Sequence, residues 1–132
     1  MGTEEAGACV VETKLPEEMD SITVARQIVR RALAECGYEG HHEDVLLVVS
    51  ELVTNALLHG EGGPGLRMWG GASHVRVEVS DTGAHMPEAR VPGPASGWGL
   101  HVVRLLSTGW GISSNGEGKE GGKMVWCELA SV

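Results

Sequence analysis

The chain lacks any close pairing of cysteines: Cys9, Cys36 and Cys127 are odd in number, far apart and without a CxxC spacing. That pattern argues against a disulfide framework and for free thiols in a reducing compartment, and the cytoplasm is the natural reading. No run of about 18 apolar residues occurs, and the N-terminal stretch MGTEEAGACVVETKL is acidic without a long apolar core. Neither a membrane span nor a signal peptide is therefore expected, and Ala6 stands where a myristoylation signal wants Ser or Thr. Basic charge is also scarce. Eighteen acidic residues against ten basic ones leave a formal charge of -8, which repels a phosphate backbone and disfavours nucleic acid as a partner.

Several chemistry-bearing motifs are missing as well. There is no GxxxxGK[ST], and the third glycine of a GxGxxG would have to be Val102, so neither a P-loop nor a dinucleotide fingerprint is present. His41 and His42 fall at a helix start without HExxH, and no Cys/His set has zinc-ligand spacing. No GxSxG supports a Ser-His-Asp triad. Internal repeats and linkers are absent too, so residues 1–132 read as a single domain.

What remains is an ordinary globular composition, 42% apolar and 21% charged, in a chain able to bury roughly two thirds of its unfolded surface. Ala8 to Leu15 is partly β-branched and stopped by Pro16, which predicts an edge strand. Ile22, Ala25, Ile28, Val29, Ala32 and Leu33 then recur at helical spacing, with Asp20 or Ser21 as the expected cap and Gly37 as the stop. A second helix is predicted from about His42 to Leu58, and its wide apolar face makes it central to the core. Strands around Leu66 to Trp69 and His74 to Val79 read as a hairpin, with Val75, Val77 and Val79 inward. Residues 82–96, with three prolines, read as a long loop of the kind that carries function. Gly97 to Leu106 opens a third helix, and strands near Thr108 to Ser113 and Lys123 to Leu129 close the chain around a glycine-rich tip. An order β-α-α-β-β-loop-α-β-β contains no repeated βαβ unit. It favours an α+β two-layer sandwich, with helices on one face of a mixed, mostly antiparallel sheet.

Within that frame Glu51 and Asn55 stand four apart on the second helix and project from one face. Polar groups in an apolar run either meet a ligand and solvent or satisfy a structural network. Spacing alone does not choose between that reading and an exposed polar stripe with Ser50, Thr54 and His59. Asp81, Thr82 and Gly83 follow an inward-alternating strand, where a carboxylate can point into a pocket and a glycine lets a flat ligand approach. Gly97 and Gly99 precede a helix whose free amides favour phosphate oxygens. Taken singly, each glycine pattern is equally a plain turn.

Taken in order and spacing, ELVTNALLHG at 51–60, VSDTG at 79–83 and SGWGLHVVRLL at 96–106 resemble the three boxes of the GHKL (Bergerat-fold) ATPase superfamily. Within it the match is similar to the small anti-sigma-factor kinases of the RsbW and SpoIIAB type, and it extends to RQIVRRAL and GGKMVWCEL. The resemblance implies ATP and Mg²⁺ as cofactors. It implies that Asn55 holds Mg²⁺, that Glu51 is the general base, and that Asp81 accepts the adenine amino hydrogen while Gly83 makes room for the ring. Gly97, Trp98, Gly99 and Leu100 would cradle the phosphates under a lid at 82–96. Met124 stands where many relatives carry Thr, and Ala84 where many carry a second glycine. His59 is expected to cap or pack the helix end, and Arg26, Arg30 and Arg31 to form a solvated helix face.

The function so implied is a protein serine/threonine kinase that phosphorylates a STAS-domain anti-anti-sigma protein and sequesters a sigma factor, with a homodimer common in the family. A module that binds ATP without transfer, and an enzyme hydrolysing ATP with water, are the alternatives. A sensor histidine kinase would carry an upstream phosphoacceptor helix and dimerisation domain, for which 132 residues leave no space.

Overall fold

The computed structural model of the protein describes residues 9–82, 99–114 and 122–131. In chain order its elements are β1 (Cys9–Lys14), α1 (Asp20–Cys36), α2 (His42–His59), β2 (Gly65–Gly70), β3 (His74–Asp81), α3 (Gly99–Leu106), β4 (Gly109–Ser114) and β5 (Lys123–Ala130). The strands form one five-stranded sheet in the order β1-β2-β3-β5-β4, and all four pairings are antiparallel. The architecture is the α+β layer arrangement that the element order predicted, with β1 at an edge.

Alternation builds the sheet's inner face. Val75, Val77 and Val79 of β3 are buried, and the register sets them opposite Leu129, Cys127 and Val125 of β5. On the other side Val77 meets Met68 and Val79 meets Leu66 of β2. Helix α2 lays Val45, Val48, Val49, Leu52 and Val53 into the core, each essentially without exposure. A fully buried Val or Leu stabilises by about 1.5–3 kcal/mol relative to exposure, so this packing fixes α2 far more firmly than any surface ion pair could. Helix α1 packs on α2, with Ala25, Val29, Ala32 and Leu33 buried, and α3 packs on α2 with Val103 buried.

The helix ends depart from the sequence expectation at one place and follow it at another. Neither Asp20 nor Ser21 caps α1. The residue before the helix is Met19, and the Ser21 hydroxyl instead donates to the Pro16 carbonyl at 2.6 Å, tying the helix to the turn before it. Gly37 closes α1 as expected: it takes the left-handed φ of 68° that only glycine adopts cheaply, and Tyr38 N–H bonds back to the Leu33 carbonyl.

Candidate functional site

Glu51 and Asn55 lie on α2 one turn apart, about 6 Å along the axis, and both are half-buried. Burial raises the Glu51 carboxyl above its ordinary value, since the charged form loses hydration. The competing polar stripe is divided between different faces. Ser50 is engaged by α1, where Arg26 Nη1 donates to its hydroxyl at 2.8 Å, while His59 is exposed at the last helical position.

The end of the same helix meets the second box. Gly60 N–H closes α2 on the Ala56 carbonyl, and the chain then runs against the end of β3. A Cβ at Gly60 would lie 2.4 Å from the Asp81 carboxyl carbon, so glycine is what allows this approach. The next residues are stitched together: both the Thr82 N–H, at 3.1 Å, and the Thr82 hydroxyl, at 3.0 Å, donate to the Glu61 carbonyl. ELVTNALLHG and VSDTG are thus adjoining parts of one place in the fold.

Asp81 is buried, and the Lys123 ammonium donates to its Oδ1 at 2.9 Å. The two residues are register partners at the ends of β3 and β5. Lys123 is the residue that sequence reasoning missed. The signal was available, because pairing an inward β3 with the last strand brings a lysine at the start of GGKMVWCEL opposite the aspartate. Met124, its neighbour, is half-buried.

The third box reaches the same helix through α3, whose backbone begins at Gly99 and which packs against α2. Gly83, Ala84, Gly97 and Trp98, most of the 82–96 loop and most of the hairpin tip before Gly122 lie outside the described residues, and only the backbone of Gly99 and Leu100 is described. Glu51, Asn55, Gly60, Asp81, Lys123 and the start of α3 are therefore the described frame of the site.

The arginine cluster does not behave as one solvated face. Arg26 is a strut from α1 to α2, bonding the Leu46 carbonyl at 3.3 Å as well as Ser50. Arg30 makes an exposed pair with Glu43 at 3.4 Å, and Arg31 is exposed. Arg31 also lines a groove of about 470 Å³ between β1 and α1, together with Cys9, Val11, Gln27 and Glu35. Among the described residues, none of those singled out by the three boxes lines that groove.

This arrangement places a carboxylate with a raised proton affinity, an amide one turn away, a buried carboxylate and a helix start around α2. Comparison with known families gives it a context: the family model of the histidine kinase-like ATPase domain matches residues 15–126. The chain belongs to the histidine kinase-like ATPase family. Membership in this ATPase family implies ATP binding. Among solved structures, the RsbU and RsbW domains of Rv1364c from Mycobacterium tuberculosis match with a TM-score of 0.66 and 24% identity. The alignment covers 91% of this chain and only 31% of that one, so the likeness is one of fold. No curated protein matches significantly. No described helix is long and apolar enough to cross a membrane.

Proposed function

We propose that this histidine kinase-like ATPase domain is an anti-sigma-factor protein kinase, which moves the γ-phosphoryl group of ATP to a serine or threonine hydroxyl of a STAS-domain anti-anti-sigma protein. The observation that carries the reading is the pair on α2: Glu51, half-buried with its carboxyl raised, one turn from Asn55. A carboxylate whose proton affinity is raised by burial is a better general base than a fully hydrated one.

In this reading Glu51 accepts the proton of the attacking hydroxyl as its oxygen bonds to the γ-phosphorus and ADP leaves. Asn55 offers one neutral amide oxygen, which suits a magnesium ion that keeps most of its shell for phosphates and water. When bound, that ion would neutralise charge on the phosphates. Asp81 accepts the adenine amino hydrogen, with Gly83 as the near wall. Gly97, Trp98, Gly99 and Leu100 contribute backbone amides at the start of α3, where the helix dipole favours anions. The sigma factor, the STAS protein, a homodimer and a cytoplasmic location belong to the same proposal.

A second reading, ATP binding without transfer, is motivated by Met124 and Ala84, which stand where many relatives carry Thr and a second glycine. Transfer of label from γ-labelled Mg-ATP to a panel of STAS-domain proteins separates the two. Label reaching one partner with the wild type, and falling at least 100-fold with Glu51→Ala, supports the kinase. ATP binding without transfer across the panel supports the adaptor, and transfer unchanged in Glu51→Ala rules out Glu51 as the base.

A further inference from the structure

Lys123 is 3% exposed, an unusual state for a lysine at the first position of a strand, where its long stem could carry the ammonium to water. Its side chain instead turns to Asp81, itself only 4% exposed in its side chain, and bonds it at 2.9 Å. Gly60 lies against the same carboxylate, and the strand register pins the two backbones opposite each other. Burying such a pair gives little net stability, because an apolar pair of similar volume generally does as well. Fold stability therefore does not account for a lysine here.

Resting on the ATP-binding reading above, we infer that Lys123 is a specificity-determining residue of the nucleobase site, reading the ring nitrogen beside the group that Asp81 reads. The ammonium has three donors, and the bond to Asp81 uses one. Asp81 and Lys123 together present an acceptor beside a donor. The hydrogen-bonding edge of adenine is the complement, with the 6-amino donor adjacent to the N1 acceptor. Guanine and hypoxanthine carry a 6-oxo acceptor beside an N1–H donor, the reverse order, so either would set its oxygen against the Asp81 carboxylate. Met124 cannot supply a hydroxyl in this region, and Lys123, the preceding residue on β5, supplies a charged donor.

The test is calorimetric binding of ATP, 1-deaza-ATP and GTP to the wild type, repeated with Lys123→Met and Lys123→Gln. 1-Deaza-ATP keeps the 6-amino group and replaces N1 by C–H. The wild type is expected to bind ATP at least 10-fold more tightly than 1-deaza-ATP, the scale of one hydrogen bond to a charged group. Lys123→Met should bind both equally, and Lys123→Gln, which keeps a donor, should recover part of the difference. Equal wild-type affinity for ATP and 1-deaza-ATP overturns the inference without any variant having to fold. Preference for ATP that persists in Lys123→Met overturns it too. If the wild type binds no purine triphosphate, the ATP reading itself fails, a result distinct from ATP binding that ignores N1.

Discussion

Strand β3 carries two clusters of charge, each built on a buried carboxylate, that differ in how many partners share the charge. On the open face of the sheet Arg76 bonds Glu78 at 3.0 Å and Glu128 at 2.9 Å, Arg67 reaches Glu78 at 3.4 Å, and His74 approaches Glu128 at 3.5 Å. Arg76 also lies 4.3 Å from the Trp126 ring and 5.7 Å from that of Trp69. Arg76, Glu78 and Glu128 each have more than one charged partner there, and the Arg76 hydrogen bond holds the Glu128 carboxyl below its ordinary value. At the end of the strand, by contrast, Asp81 and Lys123 form a salt bridge almost wholly out of water. The first cluster is a redundant network around the buried Glu78, with Arg67, Arg76, His74 and Glu128 reaching solvent; the second concentrates charge at the residues on which the nucleotide reading depends.

Removing charge from each cluster sharpens the contrast. Lys123→Ala leaves a buried carboxylate uncompensated and should cost about 3–5 kcal/mol, measured by urea unfolding. Gly60→Ala should come next: the added methyl group runs into Asp81, and overpacking of this kind costs about 1–3 kcal/mol. Its diagnostic feature is that nucleotide affinity should fall along with stability. Arg67→Ala, at a half-exposed pair, should cost less than about 1 kcal/mol and leave nucleotide binding unchanged. A loss at Arg67 as large as at Lys123 would erase the distinction between the clusters.

Glu51 supplies a prediction about direction. Its folded carboxyl binds a proton more tightly than in the unfolded chain, so its contribution to stability is fully present below the unfolded value and is lost as pH rises through the folded one. Glu51→Gln should therefore gain stability relative to wild type as pH rises from 4 to 8. The same shift moves the acid limb of any phosphoryl-transfer profile upward from the ordinary glutamate value, which a pH–rate series would reveal.

The parts of the fold legible from sequence were those set by local periodicity. Helix α2 runs His42–His59 against an expected His42 to Leu58, and Val75, Val77 and Val79 do point inward. Long-range features were not legible in the same way. The position of β5 between β3 and β4 depends on pairings between residues far apart, and it is this order that sets Lys123 against Asp81. Arg26 failed as a surface residue for a related reason: its helical position does not say whether the neighbouring helix offers the Ser50 hydroxyl and the Leu46 carbonyl. The Ser21 hydroxyl likewise preferred the Pro16 carbonyl to a capping role. Glu51, Asn55 and Asp81 were singled out by short, ordered motifs, and the structure joins two of those motifs through Gly60 and Thr82.

The central claim, that α2 organises a magnesium-dependent ATP site, is tested most directly by the thermal shift of wild type and Asn55→Ala titrated with Mg-ATP. The wild type should be stabilised increasingly with ligand, by about 2.7 kcal/mol at 100 times Kd, and an Asn55→Ala protein that is otherwise equally stable essentially not at all. Equal stabilisation of both proteins would contradict that claim.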